Sequence, residues 1–304
     1  MEAVYGYRRG ASWRRLGHGV YLQGSGSAGL ADELRAWSLV LPARAAFTHL
    51  TAAELLGWWL PCPVVHPVFV VTRRGEQHPQ RRELLVRRSV DWPAARVSAG
   101  VRVASPSEIL LACSRDLGLL DLVQLGDFAL RAEFCTPDDL LEVASHRRAG
   151  SVQLRRLVPL LDKRSESPWE SVMRLLHQAA DIPVEPQRKL FSPSGQFVAR
   201  ADLWLVGTQQ IHEYDGEVHR DRGVHRDDLR RDRGLARIGV TRLGYTSTEV
   251  LHEGADIIGA ADRALGRPWD PTRLRRWNAL IRDSLWGRTG RARVRARWAA
   301  KSAG

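Results

Sequence analysis

Residues 198–219, VARADLWLVGTQQIHEYDGEVH, constrain the fold more than any other segment. Two strand-like patterns flank the turn-like residues 207–210, which predicts an antiparallel hairpin. A tight turn centred on Thr208 and Gln209 would pair Asp202 with Asp215 and Trp204 with Glu213. Because side chains alternate between the faces of a strand, Glu213 and Asp215 should point the same way.

The hairpin therefore gathers three carboxylates, since opposed Cβ atoms lie ~5 Å apart and diagonal ones ~7–8 Å. Like charges at that distance destabilise a hairpin, and a divalent cation would remove the penalty. Hard oxygen ligands predict Mg²⁺ or Mn²⁺ bound by Asp202, Glu213 and Asp215. An alternative is that neighbouring arginines neutralise the cluster, for which Arg200, Arg220 and Arg222 are the candidates.

Residues 165–265 alternate a helix, strands, a helix, a strand and a closing helix, which predicts an α/β sandwich around a mixed sheet. This segment resembles the Vsr-like endonuclease domains of the PD-(D/E)XK superfamily. The resemblance implies a restriction-endonuclease-like fold and metal-dependent hydrolysis of DNA. It rests on Glu170, Arg200-Ala201-Asp202, Glu213-Tyr214-Asp215-Gly216, His219, Asp228, Arg231-Asp232 and Val240-Thr241-Arg242.

The resemblance implies a role for each of these residues. Asp202 would bridge the metal, Glu213 and Asp215 would complete its ligands, and all three would be catalytic. His219 would act as general base or acid because its pKa lies near working pH. Glu170 would be an accessory acid, or would serve only as the third residue of a helix capping box begun by Ser167.

Supporting roles fall to Arg200, Arg231 and Asp232, which would orient the site. The superfamily's lysine is absent, and Asp215 stands at its position. The lysine's role would then pass to His219, to an arginine or to a second metal ion. Alternatively, catalysis was lost while the fold was kept.

The N-terminal half resembles AbiEi-type antitoxins, a family of transcriptional regulators. Residues 16–21 (LGHGVY) resemble the wing of that family's winged helix, and residues 48–57 (THLTAAELLG) a helix start in its following domain. Only fifteen residues precede the wing, so we expect a truncated winged-helix start. The predicted units are a winged-helix remnant and linker (1–29), an AbiEi-like α+β domain (30–162), a Vsr-like nuclease domain (165–266) and a basic C-terminal extension (267–304).

Local signals predict the elements of the AbiEi-like domain. Helices are expected over 30–41, from a capping box of Thr51 and Glu54, and after a second box of Ser105 and Glu108. Strands are expected over 64–72, 84–88 and 101–104. Further helices are expected over 106–117, 119–132, 137–146 and 154–161.

A net charge of +12 favours phosphate polymers as partners. The extension carries arginines without acids near its end and would be either a phosphate-tracking arm or a disordered tail. Three scattered cysteines and the lack of a signal peptide or membrane span predict a cytoplasmic protein that does not bind membranes. The expected nucleic-acid contacts are Arg288, Arg291, Arg293, Arg295 and Arg297.

Two functions follow from these patterns. The first is a Mg²⁺-dependent endodeoxyribonuclease that hydrolyses or nicks DNA in repair or phage defence. The second is a non-catalytic, DNA-binding, antitoxin-like transcriptional regulator that keeps the nuclease fold as a scaffold. DNA is the partner in both, with a cognate toxin or a repair protein beside it, and the patterns do not fix the oligomeric state.

Overall fold

Three β-sheets and twelve α-helices make up the computed structural model, counted over residues 3–8, 10, 12–23, 29–77, 80–90, 94–216 and 222–302, which it describes. Side chains are described for these residues except 222–229 and 301–302. The chain is a mixed α/β protein, as the sequence predicts. None of the helices in those ranges combines the length and apolarity that crossing a membrane requires.

The first sheet is small and antiparallel, in the order β1-β3-β2. Its strands β2 and β3 form the hairpin predicted around the LGHGVY motif, which confirms that local structure. Residues 24–28 of the predicted linker lie outside the described residues. The elements are β1 (Ala3–Tyr5), β2 (Trp13–Gly17), β3 (Val20–Gln23) and the following helix α1 (Leu30–Ser38).

A five-stranded mixed sheet follows, in the order β6-β5-β4-β8-β7. Parallel pairing joins β4 to β8 and β5 to β6, and the other pairs are antiparallel. Two of the strands, β4 and β7, were not predicted, since two and four residues are too few for a periodic signal. The elements are β4 (Ala46–Phe47), α2 (His49–Leu55), β5 (Val68–Arg73), β6 (Leu84–Ser89), β7 (Ala95–Ser98) and β8 (Val101–Ala104).

Helices packed against this sheet complete the region. Two of them begin at Pro106 and Pro137, as predicted, and Thr136 caps the second by accepting a hydrogen bond from the Asp139 amide. The final predicted helix, over 154–161, instead begins at Ser151 and ends in a 3₁₀ turn at Val158–Leu160. The helices are α3 (Pro106–Cys113), α4 (Leu119–Arg131), α5 (Pro137–Ser145) and α6 (Ser151–Leu157).

Two predicted capping boxes are wrong. Thr51 lies inside α2, where its hydroxyl accepts a hydrogen bond from the Phe69 amide at 2.9 Å and ties the helix to β5. Ser105 precedes α3 but makes no side-chain cap. Its expected partner Glu108 instead forms a two-fold ion pair with Arg148, with N–O distances of 2.7 and 3.1 Å.

The C-terminal unit is built on a four-stranded mixed sheet in the order β12-β11-β10-β9. Only β11 and β12 are parallel. Helix α7 contacts the three antiparallel strands, whereas α8 contacts β10 and β12. The elements are α7 (Pro168–Ala179), β9 (Val184–Phe191), β10 (Phe197–Leu205), β11 (Gln210–Tyr214), α8 (Arg222–Arg237), β12 (Thr241–Tyr245), α9 (Ser247–His252) and α10 (Gly254–Ala264).

The basic C-terminal extension is folded, so the alternative of a disordered tail is wrong. It forms helices α11 (Leu274–Asp283) and α12 (Arg288–Ser302). Three of its apolar side chains, Trp277, Leu285 and Val294, are at most 1% exposed. They belong to one core cluster that also includes residues of the five-stranded sheet and of α7. The sequence of the extension does not reveal this shared core, because arginines fill most of the positions between its apolar residues.

Candidate functional site

The hairpin of β10 and β11 forms as predicted, but in a different register. Leu203 pairs with His212, and Trp204 pairs with Ile211 rather than with Glu213. The predicted pairing of Asp202 with Asp215 is therefore wrong by two residues, because the turn is centred on Gly207 and Thr208, one residue earlier than predicted. A shift of two residues preserves the face on which each side chain lies. In the observed register Glu213, not Asp215, is nearest opposite Asp202.

Asp202 lies largely buried between the two strands. The Tyr214 amide donates a hydrogen bond to Asp202 Oδ2 at 3.1 Å. Burial and, after it, the nearby charge of Glu170 raise the pKa of Asp202 to about 6. The Tyr214 amide, Arg231 and Gln187 oppose that rise but do not cancel it. Asp202 is thus a carboxyl group poised to exchange a proton near neutral pH, as functional sites often require.

Glu213 is 2% exposed and is held by two arginines. Arg231 donates to its Oε1, and Arg242 donates to its Oε2 at 2.5 Å. Burial nevertheless raises the pKa of Glu213, and the charge of Asp202 acts in the same direction. Both oxygens of Glu213 are therefore engaged by cations of the protein itself.

Arg242 also binds Asp215, with Nη2 donating to Oδ1 at 2.6 Å. The parallel pairing of β12 with β11 places Arg242 beside Ile211 and Gly244 beside Glu213. A Cβ atom on Gly244 would overlap the Asp215 carboxylate, so only glycine leaves room for this arrangement. Arg242 was part of the resemblance but was not predicted as a site residue.

Glu170 combines a structural role with a place beside the cluster. Its backbone amide donates to the Ser167 hydroxyl at 3.1 Å, which is half of the predicted capping box. Its carboxylate accepts instead from the Glu166 amide at 2.8 Å and from Gln187 Nε2 at 2.7 Å. Burial raises the pKa of Glu170. Gln187 has a left-handed backbone, φ 56°, for which its sequence gave no signal.

The predicted supporting residues connect this cluster to its surroundings. Arg231 donates to the Arg200 carbonyl at 2.8 Å, and Arg200 pairs with Glu166 at 2.5 Å. Asp232 lies 3.8 Å from Arg242 Nη1, at the exposed edge. His219, predicted as general base or acid, and the side chain of Asp228 lie outside the described residues.

The described part of the chain contains no group of three or more His, Cys, Asp and Glu side chains arranged to hold a metal ion. Asp202, Glu213 and Asp215 do lie near one another, but Arg231 and Arg242 occupy the positions that a cation would need on Glu213. As arranged here, these residues fit the arginine-neutralised alternative better than the metal site, but the neutralising arginines are Arg231 and Arg242, whereas the predicted Arg200 pairs with Glu166. Arg220 and the side chain of Arg222, the other predicted candidates, lie outside the described residues. Binding of Mg²⁺ or Mn²⁺ stays a prediction.

A second polar cluster lies on the α7 side of the sheet. His177 Nδ1 donates to the Met173 carbonyl at 2.7 Å, so its Nε2 accepts from His212 Nδ1 at 2.8 Å. His212 Nε2 in turn accepts from the Gln210 amide at 2.6 Å. Both rings are fully buried and neutral, since burial lowers the pKa of His177 to about 4 and that of His212 to about 2. His212 therefore lies apart from the carboxylates, as strand alternation predicts.

In the part of the chain that the structure describes, three of the five arginines predicted to bind nucleic acid have side chains that bind backbone carbonyl groups, and two have side chains free to contact a ligand. Arg291 donates to the Leu285 carbonyl, Arg293 to the Asp283 carbonyl and Arg297 to the Arg115 carbonyl, so these three hold the extension in place. Arg288 and Arg295 are exposed. Neither makes a hydrogen bond or ion pair within the described part of the chain.

Comparison with known families addresses the N-terminal half. The model of the AbiEi antitoxin C-terminal domain matches this chain over one continuous stretch. The match covers residues 44–163. This confirms the predicted resemblance, and the stretch begins at the first strands of the five-stranded sheet and ends before α7. The family comparison gives no support to the Vsr-like nuclease resemblance of the C-terminal unit.

Other comparisons add little. No curated protein matches the chain. Among solved structures, it is similar to the crystal structure of the RV2827C protein from Mycobacterium tuberculosis, with 18% sequence identity and a TM-score of 0.36. The similarity covers 59% of this chain and 71% of the other.

Proposed function

We propose that this protein is a DNA-binding regulator of the antitoxin type, in which the C-terminal four-stranded unit acts as a scaffold. The observation that carries the proposal is the AbiEi antitoxin C-terminal domain at residues 44–163. A net charge of +12 supports DNA as the ligand, because cationic proteins gain affinity by releasing counterions from the phosphate backbone. A cognate toxin is the further partner that the antitoxin relationship suggests.

The carboxylate cluster supports the scaffold role. Arg231 and Arg242 neutralise Glu213, and Arg242 also neutralises Asp215. Ion pairs of this kind fix the positions of β11, β12 and α8 relative to one another. A carboxylate that binds one arginine at each oxygen is also a poor free ligand, since a cation would have to displace both arginines.

A metal-dependent nuclease is the second candidate, and Asp202 is the observation that favours it. Among the residues that the structure describes, no arginine donates a hydrogen bond to this carboxylate, whose pKa of about 6 reflects burial beside Glu170. A buried carboxyl group without a cationic partner costs stability, and such costs are found more often at functional sites than elsewhere. Asp202 would be the first residue to hold Mg²⁺ or Mn²⁺.

One experiment separates the two candidates. The purified full chain is mixed with supercoiled plasmid in Mg²⁺, Mn²⁺ or EDTA, while binding to a labelled duplex is followed by fluorescence anisotropy over a range of salt concentrations. We expect salt-dependent binding without nicking under any metal. The Asp202→Ala variant should bind equally well, as should the Asp138→Ala control, which changes an exposed aspartate of α5.

Metal-dependent nicking that disappears in Asp202→Ala but persists in Asp138→Ala would overturn the scaffold role and establish the nuclease. Absence of DNA binding at low salt would overturn the regulator as well. The contribution of the extension is tested with the double variant Arg288→Ala, Arg295→Ala. If its exposed arginines contact phosphates, the slope of log affinity against log salt should become shallower by about 2.

A further inference from the structure

A cavity in the AbiEi domain is lined by an unusual concentration of arginines. It has a volume of about 390 Å³ and lies between the end of β6, helix α3 and the turn that joins α5 to α6. One glutamate, Glu108, is its single acidic lining residue among those described. We call this cavity the arginine pocket, and its arginines are Arg87, Arg88, Arg115, Arg147 and Arg148.

Arg88 has a partner, and two further arginines of the pocket form ion pairs with acidic side chains. Arg87 binds the fully buried Asp116 at 2.6 Å, and Arg148 forms the two-fold ion pair with Glu108. The first pair joins β6 to the turn after α3, and the second joins the α5–α6 turn to α3. They use the only carboxylates that the described structure places at the pocket.

Positive charge remains after this pairing. The guanidinium groups of Arg115 and Arg147 make no hydrogen bond or ion pair with any described residue. Arg115 is partly buried, and burial and the charge of Arg87 lower its pKa more than the charge of the buried Asp116 raises it. Burying like charges side by side is unfavourable unless an anion joins them.

The backbone holds these groups in place. Gly150, with φ 96°, ends the α5–α6 turn close to α3, where a Cβ atom would come within 2.6 Å of the Leu111 carbonyl and 3.0 Å of Arg115 Cγ. This close approach brings the turn that carries Arg147 and Arg148 against the end of α3 and the following turn, which carries Arg115. The pocket is therefore built by regular elements and a constrained turn, and its floor includes the apolar side chains of Val71 and Leu111.

We propose that the arginine pocket binds a small phosphorylated molecule, a function beyond the DNA binding proposed above. A phosphate ester carries up to two negative charges and accepts the forked hydrogen bonds that arginine donates, whereas one carboxylate would leave the charge of the pocket uncompensated. The volume falls within the range of about 300–1,000 Å³ of small-molecule sites. A DNA duplex, whose major groove alone is about 12 Å wide, is too broad to enter.

The test is calorimetric titration of the full chain with inorganic phosphate, pyrophosphate and AMP, each against chloride of matched ionic strength. We expect saturable binding of at least one of the three. The double variant Arg115→Met, Arg147→Met keeps much of the side-chain volume and should weaken that binding at least tenfold. The control Arg44→Met changes an exposed arginine of the same domain that does not line the pocket, and should leave binding unchanged.

Three results would overturn the proposal. One is the absence of saturable binding for all three probes. Another is an equal loss of binding in the Arg44→Met control, which would indicate non-specific charge screening. The third is a double variant that loses affinity for DNA while the wild-type chain binds no small phosphate, which would assign the arginines to the DNA backbone. Circular dichroism of both variants shows whether each is folded.

Discussion

Single side chains of the carboxylate cluster differ in how their charge is balanced. Glu213 has two arginine partners, whereas Asp202 relies on one backbone amide at 3.1 Å and on Gln187. The two groups lie close enough for the charge of Asp202 to raise the pKa of Glu213. The unbalanced negative charge of the site therefore resides mainly on Asp202.

The variant Asp202→Asn should be more stable than the wild-type chain at neutral pH. Burial raises the pKa of Asp202 to about 6 in the folded state, above the ordinary value of 3.8. The protonated Asp202 therefore contributes to the free energy of unfolding below pH 3.8, and this contribution is lost as the pH rises through about 6. Asparagine carries no charge, and its Oδ1 still accepts from the Tyr214 amide. We expect a gain in the free energy of unfolding of about 1–2 kcal/mol at pH 7.5, allowing for partial exposure.

Urea denaturation at pH 7.5 and pH 4 measures this effect. The gain should shrink at pH 4, where much of the folded-state carboxyl group is already protonated. A gain of equal size at both pH values would show that the charge of Asp202 is not its cause. If Mg²⁺ raises the melting temperature of the wild-type chain but not that of Asp202→Asn, the metal prediction gains direct support.

Elements that carry strong local signals could be predicted from the sequence. Proline and serine or threonine mark the starts of α3, α5 and α7, and turn residues mark the hairpin of β10 and β11. The partners of those elements could not be predicted, because Glu108 and Thr51 satisfy local capping patterns yet form contacts with residues distant in sequence. The carboxylate cluster was predicted from strand alternation, whereas its engagement by Arg242 depends on the parallel pairing of β12.

The hydrogen bond between His177 of α7 and His212 of β11 joins two buried neutral rings. The free energy of unfolding should therefore depend on pH. Burial lowers the pKa of His177 to about 4, below the ordinary value of 6.5. A histidine that protonates more readily when unfolded contributes stability above pH 6.5 that is lost as pH falls toward 4. Each such histidine contributes up to about 1.4 kcal/mol per pH unit. Asp202 and Asp121 act in the opposite direction, since burial raises the pKa of both carboxyl groups.

The variant His212→Gln isolates the histidine contribution. Glutamine can still form hydrogen bonds with His177 and Gln210 but does not titrate. Between pH 6.5 and pH 5, the free energy of unfolding should fall less steeply for this variant than for the wild-type chain. His252→Gln, which changes an exposed residue of α9, should keep the wild-type slope. Identical slopes in all three proteins would be inconsistent with a buried neutral pair.

At the scale of the whole molecule, the C-terminal extension joins the two larger regions. Leu285 lies between α11 and α12, is fully buried, and its amide donates to both oxygens of Asp121 at 3.0 and 3.1 Å. Asp121 also accepts from the Gly118 amide at the start of α4. A Cβ atom at Gly118 would come within 2.6 Å of the Asp283 carbonyl, so the extension lies directly against the region that matches the AbiEi model.

The variant Leu285→Ala should therefore destabilise the whole chain and not only its last helices. Truncating a fully buried leucine to alanine costs about 2–5 kcal/mol, because it removes apolar contacts and leaves a cavity. Since the same core cluster includes Leu285, Val172 of α7 and Leu110 of α3, we expect one unfolding transition shared by tryptophan fluorescence and circular dichroism. Leu141→Ala, at a side chain that is 45% exposed, should cost far less. Two separate transitions, or equal costs for the two variants, would mean that the extension and the antitoxin domain unfold independently and that the shared core does not couple them.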